Sequence, residues 1–124
     1  MTSTPIANAL AWPERIDSGV EPLNLLQVGR LDFTLADETR YPCLALAREA
    51  WHRGGTCMAV LNAANEIAVE YFLRRRIGFN EISTTISKVL QQVSTGEADS
   101  LEKILQADAT AREVASSLLQ AGVE

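Results

Sequence analysis

Residues 56–76, TCMAVLNAANEIAVEYFLRRR, decide how the rest of the chain is read. Met58, Val60, Leu61, Ile67, Ala68, Tyr71, Phe72 and Leu73 spread apolar surface over most sides of a helix that would run from about Thr56 to Arg76. Such a helix is stable only when several neighbours cover it.

Those neighbours are readable on both sides. Upstream, Pro42 suits a first helical turn, and Cys43, Leu46, Ala47, Ala50 and Trp51 form a stripe that Gly54-Gly55 ends. Downstream, Asn80 is a candidate N-cap for a helix through Ile82, Ile86, Val89, Leu90 and Val93, closed by Gly96. A short helix around residues 101–105 then leads into a last one capped by Asp108 or Thr110. In that last helix Thr110 and Glu113 are spaced as a capping box, and Ala111, Val114, Ala115, Leu118 and Leu119 make the stripe. Short connections make successive helices antiparallel, so the fold class expected is all-α, an antiparallel helical bundle.

The first third reads differently. All four prolines, at 5, 13, 22 and 42, lie there. Thr4 and Pro5 suit the start of two helical turns that Pro13 ends, Asp17-Ser18-Gly19 reads as a turn, and residues 30–35 alternate polar and apolar like a short strand. No continuous stripe runs through this arm, which is expected to hold little regular structure.

The 124 residues, 47% hydrophobic and 22% charged, suffice for one core without disulfide staples. A net charge of −5 disfavours nucleic acid, whose affinity for proteins comes largely from Lys and Arg on phosphates. No apolar run is long enough to span a bilayer, and no signal peptide is recognisable, so no membrane partner and a cytoplasmic location with reduced thiols are expected.

Residues that carry chemistry are sparse. His52, the sole histidine, falls at the end of a predicted helix, where its charge would complement the dipole. Cys43 and Cys57 lie on different helices and read as two small buried hydrophobes. Asn62, Asn65, Glu66 and Glu70 make a polar stripe; a metal site built on Glu66 and Glu70 lacks the Glu-x-x-His partners of di-iron bundles, and a seam bonding to caps or linker backbone is the plainer reading. Arg74-Arg75-Arg76 complements a helix end, and Trp12 and Trp51 read as core or interface anchors. No glycine-rich phosphate loop occurs. No catalytic, cofactor-binding or metal-ligating residue emerges.

Four strings carry a resemblance. TPIANALAWPER (4–15), YPCL (41–44), LNAANEIAV (61–69) and AREVA (111–115) resemble, in order and spacing, the C-terminal part of the 1-deoxy-D-xylulose 5-phosphate reductoisomerase family. The resemblance implies an enzyme that makes 2-C-methyl-D-erythritol 4-phosphate with NADPH and a divalent metal (Mg, Mn or Co) in non-mevalonate isoprenoid biosynthesis, usually as a homodimer. It implies that residues 1–12 are the remnant of the central catalytic domain's last helix, 13–36 a linker, and 37–124 the C-terminal helical bundle. The family's metal ligands, phosphate contacts, mobile lid and cofactor loop all lie upstream of the matched strings; Trp12, His52 and Glu66 match none of them.

The expectation is therefore a structural piece, inactive alone, whose partners are the missing NADPH-binding and catalytic domains. Ile6, Leu10 and Trp12 would then lack the surface they pack on. The alternative is a stand-alone helical interaction domain docking onto a separate polypeptide that carries those domains.

Overall fold

The computed structural model describes residues 3–121. Six helices follow in order: α1 (Ser3–Ala11), α2 (Leu25–Val28), α3 (Pro42–Arg53), α4 (Cys57–Leu73), α5 (Phe79–Gln92) and α6 (Leu101–Ala121). Among the described residues there is no strand, and the fold is all-α as expected. The chain divides into two compact units, Met1–Leu35 and Ala36–Glu124.

In the first unit, α1 ends before Trp12-Pro13, whose peptide bond is cis. The Asp17 carboxylate accepts from the Gly19 N–H at 2.8 Å, closing the expected turn. The single turn of α2 was not foreseen. Its cap is clear: the Asn24 side chain accepts from the N–H groups of Leu26 and Gln27, and Gly29 at φ 68 ends it. Residues 30–35 alternate as a strand would but form none, because a strand needs a second edge and the described residues offer none. Phe33 and Leu35 are accordingly exposed, as are Ile6, Leu10 and Trp12.

The second unit is the bundle, and α4 is its axis. Helix α4 packs against α3, α5 and α6 alike. It can do so because the residues it buries are mostly small: Cys57, Ala63, Ala64 and Ala68, with Val60, have no exposed surface. Ala111 and Ala115 of α6 are equally buried, so α4 and α6 meet through alanines and their backbones approach closely. Larger side chains, Ile82, Ile86, Val89 and Leu90, come from α5 and fill the remaining volume. Full burial of a valine such as Val60 or Val89 stabilises by roughly 1.5–3 kcal/mol.

Direction alternates along the chain. Helix α4 runs back along α3 and α5 runs back along α4, the latter after a connection of residues 74–78. Helix α6 is then parallel to α4: Thr56 and Ala107 border one cleft, Glu66 meets Arg112, and Tyr71 and Gln120 border another.

Helix ends differ from expectation in four places, the first being that α5 closes on Val93 and not at Gly96. Helix α4 stops at Leu73, and the N–H groups of Arg75 and Arg76 turn back to Phe72 and Tyr71, the crossed pair of a Schellman stop with Arg75 at φ 58. The cap of α5 is Gly78, whose N–H donates to the Glu81 carboxylate at 2.6 Å, and Asn80 is already inside the helix. Residues 101–121 form one helix, where two were expected. Thr110 does not cap it; its hydroxyl donates to the Gln106 carbonyl one turn back.

The tight turn before α4 is clasped to the longer connection before α6. The Thr56 N–H donates to the Gly96 carbonyl at 2.8 Å, and the Gly96 N–H donates to Thr56 Oγ1 at 3.1 Å. Thr56, spent on this clasp, makes no side-chain cap on α4. Gly55 sits at φ +55, and a Cβ there would collide with the Gly96 carbonyl.

Gly55→Ala is therefore expected to lower stability by at least about 1–2 kcal/mol, from left-handed strain alone, as measured by urea unfolding. Ala64→Leu, which forces volume between α4 and its neighbours, should cost about 1–3 kcal/mol in the same measurement. Wild-type midpoints for either variant would contradict this account of the core.

Candidate functional site

Among the described residues, the ion-pair cluster that joins α4 to α6 is built on Glu66. Glu66 and Asn62 stand one turn apart on α4, and the Asn62 amide donates to Glu66 Oε1 at 3.0 Å. From α6, Arg112 donates through Nη2 to Glu66 Oε2 at 2.7 Å. The same guanidinium grips Asp108, one turn back on α6, through Nε at 2.6 Å and Nη2 at 3.1 Å. Parallel running of α4 and α6 brings these i, i+4 pairs level.

Electrostatics follow from the geometry. The hydrogen bond from Arg112 holds the Glu66 carboxyl below its ordinary 4.5, helped by the Asn62 amide and by the charge of Arg112. The hydrogen bonds to Asp108 and then Glu66 raise Arg112, which is a permanent cation. Glu66 is half exposed, so water and salt screen the pair; it sets the register of α6 on α4 more than it stabilises.

The other sequence candidates do not join this cluster. Glu70 pairs with Arg74 along its own helix, and the Asn65 side chain borders a different recess, facing Cys43. Within the stripe, Glu66 bonds to a side chain of α6 and to Asn62, and Glu70 bonds to Arg74, the C-cap of its own helix; none of these bonds goes to linker backbone. Cys57 is buried as expected, but Cys43 is exposed, because the first turn of α3 lies at the margin of the bundle. Cys43 and Cys57 open antiparallel helices and sit at opposite ends of the pair. His52 is exposed in the last turn of α3. Trp51 and Trp12 are exposed too, so neither is a core anchor. Asp108, read from sequence as a candidate cap, lies inside α6 and bonds Arg112 instead, and Arg112 was not read as a partner of the stripe; the i, i+4 spacing of an acid and an arginine was the available signal.

Asp108 spends both oxygens on Arg112 and Glu66 divides its own between Arg112 and Asn62, and among the described residues no group of three His, Cys, Asp or Glu side chains could hold a metal ion.

Bundle and ion-pair cluster together define a helical packing module, in which charged side chains tie helix to helix. The family model of the DXP reductoisomerase C-terminal domain matches residues 1–114, and the chain belongs to that family. It is 56% identical over 117 residues to the 1-deoxy-D-xylulose 5-phosphate reductoisomerase of Pseudomonas putida (strain W619), covering 94% of this chain and 30% of that protein. The solved reductoisomerase from Zymomonas mobilis in complex with NADPH is similar at TM-score 0.79 and 40% identity, covering 94% of this chain and 31% of that one. A DOX-P reductoisomerase solved in complex with magnesium gives TM-score 0.79 and 41% identity, covering 98% of this chain and 33% of that one. The chain thus spans about 30% of the length of the curated relatives it matches.

Because the folded carboxyl of Glu66 titrates below 4.5, its contribution to stability is complete above 4.5 and is lost as pH falls through the lower folded value. Carboxyl-carbon NMR should place the Glu66 midpoint below 4.5 in the wild-type chain and return it toward 4.5 in Arg112→Met. An unchanged midpoint in that variant would remove Arg112 as the cause.

Proposed function

We propose that this chain is the C-terminal part of a 1-deoxy-D-xylulose 5-phosphate reductoisomerase and acts in it as a structural buttress. The full enzyme would use NADPH and a divalent metal to form 2-C-methyl-D-erythritol 4-phosphate for isoprenoid synthesis. The observation that carries this is the match over 94% of the chain to only 30% of the relative.

The proposal divides the chain into the last helix of the catalytic domain (1–12), a linker (13–36) and the bundle (37–124). Exposure of Ile6 and Leu10 on α1, and of Trp12 directly after it, agrees with a partner surface supplied by the rest of the polypeptide. The upstream domains are the proposed partner, the homodimer belongs to the full enzyme, and the location is cytoplasmic.

No step of the reaction passes through this chain in this reading. Glu66, Glu70 and Asp108 are committed to arginines, and the sequence offers no glycine-rich cradle for a dinucleotide phosphate. It contributes no catalytic, cofactor or metal residue; its part is to hold the catalytic body in shape.

Purified chain incubated with 1-deoxy-D-xylulose 5-phosphate, NADPH and Mn²⁺ should show no loss of absorbance at about 340 nm, the nicotinamide band used to follow hydride transfer. A chimera in which this chain replaces the matched segment of the Pseudomonas putida relative should turn over. Turnover by the chain alone, or an inactive but folded chimera, would defeat the reading.

A further inference from the structure

A recess of about 260 Å³ lies between the first turn of α3, the middle of α4 and the first turn of α5. Pro42, Val69, Phe79 and Ile82 give it apolar walls, and the Cys43 thiol and Asn65 amide open on it. The ion-pair cluster does not use any of these groups.

Asn65 is the informative residue. It sits half-buried inside an apolar helix, where asparagine is a poor helix former, and its amide has no hydrogen-bond partner among the described residues. Asn80, on the α5 side of the same recess, is likewise unbonded through its amide. A primary amide presents a donor and an acceptor together, the complement of a peptide group. An apolar slot rimmed by two such amides suits an extended backbone that inserts one apolar side chain. The volume falls below the roughly 300–1,000 Å³ of cofactor and drug-sized sites, which favours a single side chain over a small-molecule ligand.

Relatives of this chain are more than three times its length, so a large body of polypeptide is available to supply that segment. We propose that the recess is a docking site for an apolar side chain on an extended segment of the reductoisomerase upstream of this chain; this rests on the reading given under Proposed function. The bundle would then be gripped through α3, α4 and α5 at once, at their shared end.

Cys43 reports on occupancy and Cys57, fully buried, controls for unfolding. In the 124-residue chain, N-ethylmaleimide should modify Cys43 and spare Cys57, as quantified by peptide mass spectrometry. In the active full-length chimera, modification of Cys43 should slow at least tenfold. Asn65→Leu and, at Ser83 on the α5 side of the recess, Ser83→Phe should lower the melting temperature of the chimera while leaving that of the isolated chain unchanged. An active chimera with Cys43 modified at the free-chain rate overturns the docking proposal and leaves the family reading standing. Equal melting shifts in both contexts also overturn it, by confining the two residues to the bundle. Protection of Cys43 that grows with concentration of the isolated chain would place a second copy in the recess and overturn it as well. A folded but inactive chimera would defeat the reading under Proposed function, on which the docking rests.

Discussion

Everything in the bundle depends on burying α4 on nearly every side. A single helix in contact with three others has no room for large residues on all faces, and the solution is to spend alanine where helices meet. Ala63, Ala64 and Ala68 on α4, with Ala111 and Ala115 on α6, hold no exposed surface. Little hydrophobic area is gained per alanine, but close approach brings many atoms into dispersion range, and the larger residues of α5 fill what is left. The bundle is thus asymmetric, with one helix as axis and three as cover.

An axis of this kind must be fixed along its length as well as covered. At one end the Thr56–Gly96 clasp ties the turn before α4 to the connection before α6, and it works only because both backbones approach without side chains between them. Arg53 reinforces it, donating to the Leu90 carbonyl and to Thr95 Oγ1, both at 3.4 Å. Farther along, Arg112 reaches Glu66 and sets the register of α6 on α4. A smooth alanine contact offers little resistance to sliding; the clasp and the ion pair supply it.

Periodicity made the bundle legible, because an apolar stripe has to be buried whatever covers it. Helix α3 begins at Pro42 and stops before Gly54 as its sequence states. What failed depended on partners that local sequence does not show. The alternation in residues 30–35 describes a strand only if another strand pairs with it. Thr110-x-x-Glu113 describes a cap only if the chain enters there from a non-helical segment, and Ala107, Asp108 and Ala109 instead continue the helix. The polar stripe was visible on α4, but its reason was on α6, 46 residues away, and Asn65 left the stripe for another recess altogether. Membership of the reductoisomerase family was legible in short strings that no physical pattern would have singled out.

The arginine triplet closes the electrostatic account of parallel α4 and α6. Two helices that run the same way bring their C-terminal ends together, and each carries the negative end of a helix dipole. Tyr71, Arg74 and Arg76 from the α4 end border one cleft with Gln120 from the α6 end. Arg74 and Arg76 place two cations there, the first also paired with Glu70, and so complement the α4 end, whereas antiparallel neighbours would have cancelled one another without help. The backbone shows what this arrangement costs. Arg75 occupies the left-handed position of the Schellman stop, at φ 58, where glycine would sit without strain. Helix-end compensation explains why a charged residue stands there, and it requires no phosphate or other anion in the cleft.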